Sequence, residues 1–335
     1  QGAGRRAGRA NRQTAPSEHG LDAAENTHRD QQRNHPVRPN LRYHSVLHIA
    51  VMKRGVHVAE DPGHNVVGTA YSAVAAHYHP GHAHLVRTGE GLLVEVDLLR
   101  VDLPLRVRGR VDERVFFGPK LELWTEISTV PGSNTFTISD TLTNRGSESQ
   151  EFMLIYHTNY GSPLLENGAK LVTAAKRVAP FNDHAAKAVN RWDTYAGPKS
   201  GFVEEVYQIF PFADKADRTT IQLQNANGDR GVSMNWSLKE LPYLTQWKNT
   251  VAKQDGYVTG LEPGTSFPHN RKWERAKGRV SKLQPGQTRS FAITFGIQTG
   301  KAEVAAVAKE IDALRGNRKT TVDKNPESDP FPKSE

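Results

Sequence analysis

The chain has 335 residues, 44 Lys and Arg against 36 Asp and Glu, a formal net charge of +8 and no cysteine. Its length allows a sizeable core in one or two domains, and the lack of cysteine excludes disulfides and thiolate zinc sites while leaving the redox compartment open. No run of about 18 apolar residues implies a membrane span, and no apolar segment after Gln1-Gly2-Ala3-Gly4-Arg5-Arg6 reads as a signal peptide, so a cytoplasmic location is the default.

The first residue is Gln rather than Met, which leaves the true N-terminus open. A pI of about 9.5 is compatible with a nucleic-acid or anionic partner. Much of the excess charge, however, lies in an atypical N-terminal stretch, and no nucleic-acid motif follows it. Neither a nucleic-acid partner nor a membrane is expected, and the oligomeric state is not readable.

Residues 1–105 differ from the rest. They hold no Phe or Trp, Lys53 is their only Lys, and Arg and His recur, as at Arg5, Arg6, Arg9, Arg12, His19 and His28. Residues 1–40 show almost no apolar periodicity and are predicted to be disordered. Weak apolar groups at Val46-Leu47-His48-Ile49-Ala50-Val51 and Leu92-Leu93-Val94-Glu95-Val96 are candidate strands. Residues 41–105 read as a poorly matched, aberrant segment, and the gene sequence across the codons for residues 90–115 tests this. Within them, His77 and His79 alternate and would share a strand face, as metal ligands could. No carboxylate or remote third ligand is evident, so a His-rich loop is the expectation and no metal is predicted.

From residue 106 the text is ordinary globular β. Residues 105–111 alternate, and Phe116-Phe117-Gly118-Pro119 turns the chain into a strand over 121–127. Phe136, Ile138 and Leu142 alternate with Thr and Ser in a half-buried strand. A strand starts at Phe152. There Phe152, Leu154 and Tyr156 share one parity and Met153 and Ile155 the other, which predicts cover on both faces. His157 ends that run, ahead of a Gly161 and Pro163 break. Asn167-Gly168 reads as a hairpin turn. Residues 176–201 read as a long loop carrying Trp192 and Tyr195.

Strands resume at 202–210, 219–223 and 232–238. Residues 244–248 lead to Glu262, the last residue before the Pro263-Gly264 turn. A carboxylate in so apolar a setting is paired or working. Strands at 278–283 and 290–298 follow. Val304, Val307, Ala308, Ile311 and Leu314 fall at helical spacing over 302–315 with Gly316 as C-cap. Residues 317–335 are polar and aperiodic and are predicted to be a disordered tail. The domain is therefore placed at 106–316. Many short strands with Gly, Pro and Asn turns define an all-β sandwich or barrel with one C-terminal helix.

Tyr156-His157-Thr158-Asn159-Tyr160-Gly161, with Pro163-Leu164-Leu165 and the later Gly260-Leu261-Glu262-Pro263-Gly264, resembles the aldose 1-epimerase (galactose mutarotase)-like family, nearest to an uncharacterised branch. The resemblance covers about residues 106–300. It implies a supersandwich of mostly antiparallel strands and a small-molecule sugar as partner, with no cofactor. His157 would act as acid and Glu262 as base across the sugar. A stretch holding Glu205 and Tyr207 looks like the family's substrate-side strand.

Such catalysis removes the proton of the C1 hydroxyl, protonates the ring oxygen, allows rotation about C1–C2 and recloses the ring. It needs one pair of groups that titrate near neutrality. Asn159, Gln246, Asn270 and Arg271 are candidate polar ligands for the sugar, and Trp247 a candidate apolar plate. Bland roles stand beside these: a satisfied core histidine for His157, a core ring for Trp247, and for Arg271 a surface pairing with Glu204, Glu205 or Glu274. The family's N-terminal motifs are not recognisable here, which keeps a non-catalytic carbohydrate-binding protein as the alternative.

Overall fold

The computed structural model describes residues 104–331. The N-terminal expectations, including the His77–His84 cluster and the two candidate strands, lie outside the described residues. Fifteen strands run in chain order. The first seven are β1 Leu105–Arg114, β2 Lys120–Thr129, β3 Thr135–Asn144, β4 Gln150–Phe152, β5 Thr158–Tyr160, β6 Lys170–Thr173 and β7 Ala175–Pro180. A short helix, α1 Asp183–Ala186, precedes β8 Glu205–Pro211, β9 Arg218–Gln224, β10 Arg230–Ser237, β11 Tyr243–Asn249 and β12 Val258–Gly264. Helix α2 Arg271–Ala276, β13 Ser281–Leu283, β14 Thr288–Thr299, α3 Lys301–Arg315 and β15 Thr321–Val322 complete the order.

They form a seven-stranded sheet in the order β1-β2-β3-β14-β10-β9-β6, a six-stranded sheet in the order β15-β7-β8-β11-β12-β5, and a β13-β4 pair. Every pairing is antiparallel except β15 with β7. The expected all-β sandwich is thus the observed one, with the predicted C-terminal helix packed on β9, β10, β14 and β6.

Alternation builds the core. Ile221, Leu223, Met234, Trp236 and Ile293 of the larger sheet join Tyr207, Ile209, Leu244 and Leu261 of the smaller one in one buried cluster. Each such side chain contributes about 1.5–3 kcal/mol on burial. Trp236 satisfies its indole by donating to the Leu241 carbonyl at 2.9 Å. Helix α3 buries Val304 and Ile311 and ends at Gly316, whose φ of 57° is left-handed. No helix among the described residues is long and apolar enough to cross a membrane.

Three expectations change. The run from Phe152 is not one strand covered on both faces. Phe152, Leu154 and Tyr156 are buried, while Met153, Ile155 and His157 are only half-buried. Between β4 and β5 this segment leans on β12 instead: Tyr156 N–H donates to the Pro263 carbonyl at 2.9 Å, and Leu154 N–H to Thr265 Oγ1 at 2.9 Å. Residues 176–201 are not all loop, because β7 and α1 occupy part of them; a six-residue strand ending in Pro gives a weak periodic signal.

The expected tail is ordered over 317–331. Asp323 and Glu327 reach Arg177 at 2.6 and 3.3 Å, and Glu327 also reaches Arg279 at 2.9 Å. Aperiodic polar text hid this because its partners lie far away in sequence.

Candidate active site

Antiparallel register puts directly opposed residues on the same face of a sheet. Glu262 opposes Thr245, Gly260 opposes both Trp247 and Asn159, and Trp247 opposes Val206. Glu262, Gly260, Trp247, Thr245 and Asn159 therefore share one face of the smaller sheet. Leu244, Gln246 and Tyr207 point the other way, into the core. His157, one residue before β5, belongs to the Glu262 face by parity, and the geometry agrees: its Nε2 lies 3.1 Å from Glu262 Oε1.

Gly260 makes this possible. A Cβ there would stand 2.5 Å from Glu262 Oε1, 3.2 Å from His157 Cε1 and 3.3 Å from Trp247 Cε3. The three side chains close over a bare stretch of backbone. Gly260→Ala is accordingly expected to push the pair apart. If the pair is catalytic, the loss is on the order of tenfold or more, the cost of misplacing reacting groups. The variant should still fold, since the nearest obstacle is a side-chain end. Activity and thermal melting measured together check this; an unaffected rate would mean that the contact does not matter.

Glu262 is 4% exposed. Burial, with the charge of Glu204 adding to it, pushes its carboxyl up to about 8. Its contact with His157 sets a carboxyl with raised proton affinity within hydrogen-bonding distance of an imidazole. The Trp247 ring lies edge-on to the imidazole, with centroids 5.7 Å apart and planes at 67°. Its Nε1–H donates to Glu204 Oε2 at 2.6 Å, so the indole handle is engaged by a carboxylate on the same face.

The other candidates separate. Asn159 is exposed on the site's face. Gln246 is fully buried on the core face, where its Nε2 donates to the Tyr195 hydroxyl at 2.9 Å. Asn270 is the N-cap of α2, its Oδ1 accepting from Trp273 N–H at 2.8 Å. Arg271 opens that helix and is exposed. Its possible partners are otherwise occupied: Glu274 by Arg279, Glu205 by Arg191 and Glu204 by Trp247. Glu205 and Tyr207 are hydrogen-bonded to each other at 3.1 Å on the core side.

Two residues that the structure brings to the pair, Gly260 and Glu204, were not among the site residues expected from sequence. A Gly inside a strand pattern was a signal for close approach. Glu204 had none beyond its parity with Val206. Among the described residues no group of three or more His, Asp or Glu side chains could hold a metal ion.

Two sheets sharing one core, with the pair at the end of the β4–β5 segment and on β12, give the chain a mutarotase-like fold. The chain belongs to the family described as "Domain of unknown function (DUF4432)", whose model matches residues 75–297. That match begins upstream of residue 106 and so takes in part of the stretch read as poorly matched.

A solved structure described as a "putative aldose 1-epimerase" from Klebsiella pneumoniae subsp. pneumoniae is 40% identical, with a TM-score of 0.66. The alignment covers 67% of this chain but 59% of that one, so the chain spans less than two thirds of the relative's length. A galactose mutarotase-like protein from Clostridium acetobutylicum matches more remotely, at 15% identity and a TM-score of 0.43 over 63% of this chain and 65% of that one. No curated protein matches the chain.

Proposed function

We propose that the chain is an aldose 1-epimerase-like isomerase that binds a sugar and interconverts its anomers through His157 and Glu262. The observation behind this reading is a buried carboxyl, its proton affinity raised by burial, 3.1 Å from an imidazole on one sheet face beside an aromatic ring. Such a pair supplies one proton and one vacancy, as ring opening requires.

The base of the pair takes the C1 hydroxyl proton. The C1–O5 bond breaks with its electrons going to O5, and the acid protonates that oxygen. After rotation about C1–C2 the steps reverse, with the two groups in exchanged roles. The resemblance implies His157 as acid and Glu262 as base, which corresponds to a proton resting on the imidazole. Burial favours the opposite resting form, with the proton on Glu262. In that form His157 would take the C1 hydroxyl proton and Glu262 would protonate O5, so the two forms require the sugar to present these oxygens to opposite partners.

Anomer exchange measured by NMR saturation transfer across a panel of aldoses tests the reading. Exchange above the spontaneous rate supports it; no exchange with any sugar removes it. The direct 3.1 Å contact favours a second reading, a carbohydrate-binding protein without turnover, because a sugar must part the two side chains to stand between them. Binding without exchange is its mark.

The pair also fixes a pH response. The folded carboxyl of Glu262 holds its proton up to about 8, whereas in the unfolded chain it loses it near the usual value of about 4.3. Between those values the folded state binds more protons. This contribution to stability is therefore fully present at low pH and is lost as pH rises through the window. Glu262→Gln removes the penalty, so its melting temperature should exceed that of the unmutated chain at pH 8 and approach it at pH 4. Parallel melts with no pH-dependent gap would contradict the raised carboxyl.

A further inference from the structure

Glu204 stands immediately before β8, exposed, where the sequence offered it only as a surface partner for Arg271. Its parity is that of Val206, which opposes Trp247, so it lies on the face that carries His157 and Glu262. Its Oε2 accepts the Trp247 indole N–H at 2.6 Å. Trp247 in turn meets His157 edge-on and lies over Gly260 beside Glu262. We propose that Glu204 is a positioning residue for the pair: it fixes the Trp247 indole against His157 and holds a negative charge towards the Glu262 carboxyl. This rests on the reading of His157 and Glu262 as the working pair.

The charged and titratable groups around Glu262 make the assignment specific. On its own face, the segment before β5 brings His157 and the segment before β8 brings Glu204. Strand β11 brings Thr245 and Trp247, which do not ionise at ordinary pH, and β5 brings Asn159. The loop after β12 carries His269, which is engaged with Gln208 at 3.0 Å. Lys248 of β11 and Glu205 of β8 are on the opposite face, where the lysine donates to the Arg191 and Thr194 carbonyls.

Of these, Glu204 is the charged neighbour that acts on Glu262, favouring its protonated form. One carboxylate thus does two things that a single substitution can separate. A Gln at 204 can still accept the indole N–H but carries no charge; an Ala does neither.

The test compares Glu204→Gln and Glu204→Ala in the full chain. Titration of the Glu262 side-chain carboxyl by carbon NMR, assigned with Glu262→Gln, reads the charge. The Trp247 indole N–H resonance reads the position. Anomer exchange across the aldose panel reads the consequence. In Glu204→Gln the Glu262 titration, and the alkaline limb of kcat/KM with it, should move to lower pH by on the order of one unit, while the indole resonance stays in place. In Glu204→Ala the resonance should also move, and kcat/KM at neutral pH should fall on the order of tenfold. Melting temperatures should hardly change, because Glu204 is exposed.

An unmoved Glu262 titration in Glu204→Gln, or an unmoved indole resonance in Glu204→Ala, overturns the proposal. If both move but the unmutated chain exchanges no sugar, the positioning role stands and the epimerase reading falls.

Discussion

Glu262→Gln is expected to lower anomer exchange by about 10²- to 10⁴-fold, and His157→Ala by a similar factor, with the double variant little worse than either. The near-equality follows from the contact. Ring opening needs one group of the pair to take a proton and the other to give one, so removing either end stops the same exchange. Gln keeps the shape of Glu and can donate its amide to the imidazole, so the variant loses proton transfer without losing the hydrogen bond. His157→Ala instead leaves Glu262 facing a gap, half open to water because the imidazole was itself 29% exposed. Neither change touches Leu154, Tyr156 or Leu261, the packed residues of the same segments. Saturation transfer with a melt for each variant decides the matter: a full rate in either single variant removes the catalytic assignment, and a collapsed melting temperature would make that residue structural.

The largest effect on stability is expected at Arg279. Its guanidinium is 6% exposed and grips the fully buried Glu274 through Nε at 2.7 Å and Nη2 at 2.8 Å, while Nη1 reaches Glu327 at 2.9 Å. Glu274 also accepts Phe267 N–H at 3.2 Å, so the carboxylate pins the loop that follows β12. Arg279→Met leaves the buried Glu274 without its cation and Glu327 with Arg177 alone. The expected cost is about 3–5 kcal/mol, read as the shift in urea midpoint at constant slope. Replacing Arg279, Glu274 and Glu327 together with apolar residues of similar size should recover most of that loss, because a buried ion network roughly balances its own desolvation. A single-variant loss below about 1 kcal/mol would mean that water reaches the cluster.

The strand pattern was legible because it depends on a period of two, whereas the pairing of His157 with Glu262 was implied by the family resemblance. His157 and Glu262 each close an apolar run, and parity alone sets which way they point. What parity cannot give is the register between distant strands. Gln246 and Trp247 are neighbours in sequence and must face oppositely, and only the pairing of Trp247 with Gly260 puts the ring on the working face and the amide in the core.

Asn270 escaped for a different reason. Helix α2 has six residues, too few for a helical apolar pattern, so a capping side chain looked like a free polar one. Glu327 shows the remaining limit. Its partners Arg177 and Arg279 are 150 and 48 positions away, and long-range ion pairs leave no local trace.

The two residues of β15 give the C-terminal segment an importance beyond their length. They pair in parallel with β7, which would otherwise be the last strand of its sheet among the described residues. A bare outer strand offers a row of free N–H and C=O groups on which another chain can build. With Asp323 and Glu327 anchored to Arg177, the segment occupies part of that row with its own chain, as a strap held largely by charge.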